Sequence, residues 1–271
     1  MDMYALLPLI SLIINLSLGF VILYINPKKR LNQLFSLFTF SLAFLSFANI
    51  NLFNASTVSE AIFWNKLETV GMVFSTIFMV HFVLRYCEKR IIKQKIFLIF
   101  LYLSGLFFII IEYATNLITE TMYPSYWGYA LTPGKLHFSF SLYLSISILM
   151  GLLALFSYYK KTNSNRKKQQ ISTLIIGLSI PLLGGILSQL LPLYAGIEII
   201  PLTASLTTIT AVFIFYSIYR QSLGLPMSFS IQKKMISVFF IFIILFSLAT
   251  FISTDIVATE NIEEDVDKNL L

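Results

Sequence analysis

Eight long apolar stretches recur along the chain, at Tyr4–Ile25, Leu34–Phe53, Ala61–Tyr86, Ile96–Tyr113, Leu136–Tyr159, Ile171–Leu193, Ile199–Tyr219 and Met235–Ser253. Each is long enough to cross a hydrocarbon layer as a helix of about 20 residues. None alternates polar and apolar residues over about ten positions, as barrel strands must. The expected fold class is therefore all-α, a polytopic transmembrane helical bundle. Composition points the same way: only 12% of residues are charged and 26 are Phe, whereas soluble domains carry about 25% charged residues. In water such a chain would expose apolar surface that solvent does not tolerate. A secreted disulfide scaffold, a cytosolic enzyme with its own catalytic domain and a disordered tail protein are excluded. The single thiol, Cys87, makes no intrachain disulfide. The first stretch lacks the basic start and small-residue cleavage site of a signal peptide, so it is expected to remain in the mature protein.

Basic residues give an expected orientation. Lys28, Lys29, Arg30, Arg85, Lys89, Arg90, Lys93, Lys95, Lys160, Lys161, Arg166, Lys167, Lys168, Arg220, Lys233 and Lys234 fall on one face of the eight spans, leaving only Lys66, Lys135 and Lys268 on the other. The positive-inside rule puts the first face in the cytoplasm and both termini outside. The acidic residues Asp2, Glu60, Glu120, Glu198, Asp255, Glu260, Glu263, Glu264, Asp265 and Asp267 then all lie outside. The net charge of +6 is read as topology determinants touching anionic lipid; no nucleic-acid partner is expected. The expected location is the cell membrane, multi-pass, with an external N-terminus.

Ionisable residues inside the runs are few. Lys66 and Glu68 are placed within a turn or two of the outer end of the third run, and Glu112 at the outer end of the fourth, where all three reach interfacial water. His81 is the only ionisable group placed deep, and two readings stand for it: a side chain packed near the cytoplasmic end and bonded to a neighbouring backbone group or hydroxyl, or a switch or ligand role. No carboxylate pair, metal cluster, glycine-rich phosphate loop or nucleophile with its base is found. No catalytic residue, cofactor or metal is expected.

Uncharged polar residues carry more. Thr203, Thr207 and Thr210 share one face of the seventh run, which either packs against another helix or lines a pocket. In the sixth run, Gly177, Pro181 and Gly184, with Gly185, give close approach and a kink, since proline removes an intrahelical bond; hinge and static kink both remain open. The connection from Asn116 to Lys135 holds Tyr123, Tyr126, Trp127 and Tyr129, read either as an interfacial aromatic belt or as a lid. A mainly apolar external pocket is expected near Trp64, Tyr113, Trp127, Tyr129, Thr203 and Thr207.

The order of several features is informative as a set. Asn32 and Phe35 open the second run; Trp64-Asn65-Lys66-Leu67 and Gly71 open the third, with Phe78 and Phe82 further along. Trp127-Gly128-Tyr129 and Gly134 precede the fifth, and a basic loop, Arg166-Lys167-Lys168-Gln169-Gln170, precedes the sixth. Gly177 and Pro181 lie in the sixth run, Pro201 opens the seventh, and Tyr216 to Arg220 close it. Over about Tyr4 to Leu225 this resembles the seven-helix N-terminal membrane region found ahead of bacterial and archaeal sensor histidine kinases, and sometimes ahead of diguanylate cyclases. The resemblance implies an outward-facing sensory module for a small ligand, signalling to a cytoplasmic output domain, and a homodimer.

One departure stands out. The eighth run, at 235–253, follows where that family leads into cytoplasmic segments, and the chain carries no phosphoacceptor histidine motif or ATP-binding glycine box. The expected organisation is a seven-helix sensory domain at 1–225, a cytoplasmic linker at 226–234, the eighth spanning helix at 235–253 and an external acidic segment at 254–271. In that last segment Ile262, Val266 and Leu270 start an amphipathic helix. Such a stripe reads as the start of a second sensor domain in a longer receptor, or as a face for a partner. The expected function is a receptor-like membrane sensory module for an apolar or amphipathic ligand, not an enzyme; its expected partners are the bilayer, that ligand and a membrane or cytoplasmic signalling protein. The alternatives are a small-molecule transporter, disfavoured by its lack of buried acids, and a scaffold subunit of a membrane complex.

Overall fold

Several helix ends in this protein are set by side chains that satisfy free backbone groups. A computed structural model describes residues 3–87, 92–187 and 203–222. Helix α1 covers Leu6–Ile25. It stops because Pro27 cannot continue it and Asn26 folds an Asx turn, its Oδ1 accepting from the N–H groups of Lys28 and Lys29 at 3.2 Å each. Helix α2 follows at Arg30–Phe53. Helix α3, Val58–Tyr86, starts at Thr57, whose Oγ1 accepts from the Glu60 N–H at 3.2 Å while Glu60 Oε2 accepts from the Ser56 N–H at 3.0 Å. This reciprocal arrangement is close to a capping box.

Helix α4, Ile92–Ala114, leads into two strands, β1 (Thr119–Ser125) and β2 (Gly128–Pro133). The connection between α4 and the next helix thus contains an antiparallel hairpin, in register from Ser125 opposite Gly128 to Tyr123 opposite Ala130. Gly128 carries a φ of 131°, and a Cβ there would stand 3.3 Å from the Phe53 Cα. Only glycine suits both the backbone and the gap. Helix α5 covers His137–Lys161 and α6 covers Asn165–Gly185. The stretch Arg166–Gln170, expected as a loop, forms the first turns of α6, because Ser164 Oγ accepts from the Lys167 N–H at 3.5 Å and caps the helix early. Helix α7 is Thr203–Ser222. Pro201, the side chain of Thr203, the linker 226–234, the eighth run and the acidic segment 254–271 lie outside the described residues.

Helices α2 and α3 form the centre. In each, 61% of the most apolar window is buried, against 17% in α4. Around them, α1 packs on α2, α4 and α5 pack on α3, and α7 lies against α6, α1 and α2. The larger core gathers Phe35, Leu42, Phe82, Leu155, Leu174 and Ile214; a smaller one gathers Val73, Ile77, Val80, Leu101, Ile118 and Phe140. Among the described residues five helices, α1 to α5, are long and apolar enough to cross a membrane, and large apolar side chains such as Phe20, Ile99, Phe100 and Ile110 point outward. Polar groups inside the helices find backbone partners: the hydroxyls of Ser46, Thr69, Ser147 and Ser179 each donate to the carbonyl one turn back. The architecture is a transmembrane helical bundle, with a small hairpin at one end.

Chain direction sorts the charges. The turns carrying Lys28, Lys29, Lys160 and Lys161, and the basic start of α6, lie at the end opposite the hairpin; Lys66 and Lys135 lie at the hairpin end.

Candidate functional site

The hairpin end holds a polar cluster buried between α2, α3, α4 and β1. Its centre is Glu112, the third-last residue of α4, which is fully buried. Glu112 Oε1 accepts from Asn65 Nδ2 at 3.2 Å, and Oε2 accepts from the backbone N–H of Thr119 at 3.3 Å. Asn65 Nδ2 also donates to Thr119 Oγ1 at 2.9 Å. Glu68, one turn further along α3, is buried as well. Asn49 of α2 faces it: with its amide nitrogen turned toward Glu68, Asn49 donates to Oε1 at 3.1 Å and Oε2 at 3.2 Å. Glu68 stands three residues after Asn65 on α3, so its carboxyl lies one helical turn from the residue that holds Glu112, with Lys66 between them in sequence.

This corrects three expectations. Glu68 and Glu112 do not reach interfacial water, a carboxylate pair does exist, and buried acids are present. The physical reason lies at the start of α3. Capping at Thr57 places Glu68 ten residues into the helix, about 15 Å along its axis, and the hairpin then covers that end of the bundle.

His81 matches the first of its two readings. Its Nδ1 lies 3.0 Å from the Tyr102 hydroxyl, a side-chain bond between α3 and α4.

The residues expected to line a pocket are dispersed. Trp64 packs edge-on against Phe47 and Phe63, both outward-facing, whereas Trp127 packs edge-on against Phe53. Phe47 and Phe53 are six positions apart on α2, about 9 Å along the axis and about 120° around it. Tyr113 is 46% exposed, and Tyr129 is half-buried in β2. Thr207 is buried and donates to the Ala204 carbonyl in its own helix at 3.0 Å. Of the aromatic rings in the hairpin, Trp127 turns inward and Tyr123 stays exposed. The Trp127 ring is only 5% exposed, and no acceptor among the described residues reaches its indole N–H.

The region around Pro181 is more cohesive. Proline at 181 removes the helical N–H that would bond the Gly177 carbonyl. That carbonyl, expected to be left unpaired, accepts from Thr210 Oγ1 of α7 at 2.7 Å. A Cβ at Gly177 would stand 3.1 Å from Phe213 Cβ, and one at Gly184 would overlap the Leu206 side chain. Gly177, Pro181 and Gly184 therefore seat α6 directly on α7, and Thr210 plays the packing role that its hydroxyl allows.

The family model described as the N-terminal 7TM region of histidine kinase matches residues 7–225. The chain belongs to this family. It is a multi-pass membrane protein of sensory type. No curated protein matches the chain. Within the 7TM region the ordered sequence features have structural roles: Asn32 Nδ2 donates to the carbonyls of Ile22 and Asn26 at 3.1 Å each, fastening α2 to the end of α1. Phe35 meets Phe82 edge-on at 6.3 Å. Gly71 lets α3 touch the backbone of α2, Gly128 seats the hairpin tip, and Asn65 joins α3 to both Glu112 and Thr119. The Glu68–Glu112 pairing escaped the sequence because its members lie on different helices. The available signal was four polar residues, Asn49, Asn65, Glu68 and Glu112, inside otherwise apolar runs.

Proposed function

We propose that the 7TM region binds a small apolar or amphipathic ligand beside Trp127, on the external side of the membrane, and biases a cytoplasmic kinase or cyclase output. The observation that carries this reading is the buried indole N–H of Trp127 with no acceptor among the described residues. A buried donor without a partner costs about 1–3 kcal/mol, and a ligand carbonyl or ether oxygen would recover that. Phe53 supplies apolar contact beside it. The ligand acts only through unequal affinity for two arrangements of the bundle, and α6, with Pro181 inside it, is the element that carries the difference to the basic end. The module works as a homodimer with its signalling partner.

The test uses both tryptophans of the chain. In Trp64→Phe, the remaining Trp127 emission will shift when solvent-extracted fractions of the growth medium are titrated onto the purified chain. In Trp127→Phe, with Trp64 retained, it will not. Silence of Trp127 across all fractions, or an equal shift in both variants, defeats the reading.

The external placement rests on the positive-inside rule and has its own expected result. In a Cys87→Ala background, a cysteine at Asn163 will react with a membrane-impermeant maleimide only after the cells are opened. Reaction in intact cells reverses the orientation.

A second reading, a proton-coupled transporter, is favoured by the buried pair Glu68 and Glu112, since intramembrane acids mark proton paths. Substrate uptake by proteoliposomes driven by an imposed pH gradient would select it.

A further inference from the structure

The hydrogen-bond chemistry around the two buried glutamates is unequal. Both oxygens of Glu112 face donors. The Thr119 partner is a backbone N–H, which can only donate, and Asn65 supplies the other. A proton on the oxygen facing the Thr119 N–H would set a donor against a donor, and one on the oxygen facing Asn65 would require that amide to turn over and lose its bond to Thr119 Oγ1, so Glu112 is the charged member. Glu68 is matched instead to Asn49, whose terminal amide stands 3.1 and 3.2 Å from the two carboxyl oxygens. An amide offers either its NH₂ or its oxygen at that place. Asn49 can therefore donate to a Glu68 carboxylate or accept from a Glu68 carboxylic acid by turning its amide over. Glu112 has less freedom, because the same reversal at Asn65 would also give up the Asn65 bond to Thr119 Oγ1.

Charge decides between the two states. The groups acting on the pair are Asn49 from α2, Asn65 and Lys66 from α3, Tyr113 from α4 and Thr119 from β1. Lys66 is the only cation among these; it is half-buried and follows Asn65, the residue that holds Glu112. One negative charge is balanced there; a second, placed in a site of low dielectric, is not.

We propose that Glu68 and Glu112 form a proton-operated latch on the hairpin: a proton held between Glu68 and Asn49 leaves Glu112 free to fasten the base of β1 through Thr119, and loss of that proton sets two carboxylates against each other and loosens the hairpin from α3 and α4. The step is a simple exchange with water. Glu68 gives up H⁺, the Asn49 amide reverses, and the net charge of the cluster falls by one. The latch makes the bundle responsive to pH independently of any ligand at Trp127.

Amide hydrogen exchange of the full chain in lipid nanodiscs tests it, with rates corrected for intrinsic base catalysis. In the wild type, protection of the segment around Thr119 will fall at least about tenfold between about pH 5 and about pH 9, a range that covers carboxyl titration from its ordinary position upward. Glu68→Gln, a neutral side chain of the same shape, will hold the segment protected throughout. Infrared difference spectra will show a protonated-carboxyl band that Glu68→Gln removes, a readout indifferent to packing. Glu112→Gln will lower protection at every pH; should that variant fail to fold, the Glu68→Gln comparison stands alone. Identical pH dependence in wild type and Glu68→Gln, or an infrared band that survives in Glu68→Gln, overturns the latch.

Discussion

Replacing Gly71 with leucine will abolish the folded bundle, with a loss in stability of about 3 kcal/mol or more, at or beyond the upper end of what overpacking a core ordinarily costs. The reason is the identity of the atoms in the way. A Cβ at Gly71 would stand 2.9 Å from the N, Cα and Cβ of Leu45, so the collision is with backbone, which no rotamer change relieves. Helices α2 and α3 would have to move apart along the most buried seam of the protein, emptying contacts around Leu42, Leu45 and Val73. Even Gly71→Ala should be clearly destabilising. By contrast, Gly151→Ala should be nearly neutral, because its added methyl meets only the ends of the Leu178 and Val80 side chains, at 3.5 and 3.9 Å. Thermal unfolding in one detergent, followed by tryptophan emission, would rank the three. Equal behaviour of Gly71→Leu and Gly151→Ala would show that α2 and α3 do not approach this closely.

The second large effect is a coupling. Thr210→Val removes the donor to the Gly177 carbonyl while conserving shape. It leaves a buried acceptor without its partner, at a cost of about 1–3 kcal/mol. In Pro181→Ala the helix regains an N–H at position 181, which bonds that same carbonyl. Thr210→Val should then cost far less. The double-mutant cycle should return an interaction energy of more than about 1 kcal/mol, and simple additivity would show that the two residues do not share the carbonyl. Function provides a further arm. Straightening α6 by Pro181→Ala should change the output of a kinase or cyclase joined downstream while ligand affinity stays within a few fold; an unaltered response at matched expression would leave Pro181 a static kink.

Much of the bundle was legible because its information is local. A run of about 20 apolar residues specifies a spanning helix wherever it occurs, and the positions of α1 to α5 follow directly. Asn26-Pro27 marks a helix stop in sequence as plainly as in space. The hairpin was harder to see. Its strands are short and aromatic, Pro124 interrupts the first, and the glycine that makes the turn acceptable, Gly128, is justified by Phe53 on another helix. The start of α6 was misjudged because lysines and arginines lower hydropathy without opposing helix formation. The polar cluster was hidden for a different reason. Asn65 and Glu112 are 47 residues apart, and each taken singly looks like a residue near a helix end. Only the crossing of three helices and a strand makes them neighbours. Likewise, Pro181 announces a missing hydrogen bond, but nothing in the α6 sequence tells that Thr210 replaces it.

The amide of Asn15, fully buried in α1, donates to Thr208 Oγ1 of α7 at 2.7 Å across a sequence separation of 193 residues. For a chain made from its N-terminus, this has a bearing on biogenesis. At about 5–20 residues per second, the ribosome needs about 10–40 s to deliver the second partner after the first. Throughout that interval a polar side chain sits in the middle of a nascent hydrophobic segment. Its second bond, to the Ser11 carbonyl at 2.8 Å, lies within α1 and is available from the outset, so the newborn helix shelters its own amide nitrogen in the bilayer. Joining of α1 to α7 is thereby deferred until Thr208 has been made and inserted, and a ribosome stalled before Thr208 would leave an open, unjoined set of helices for quality-control proteases to recognise.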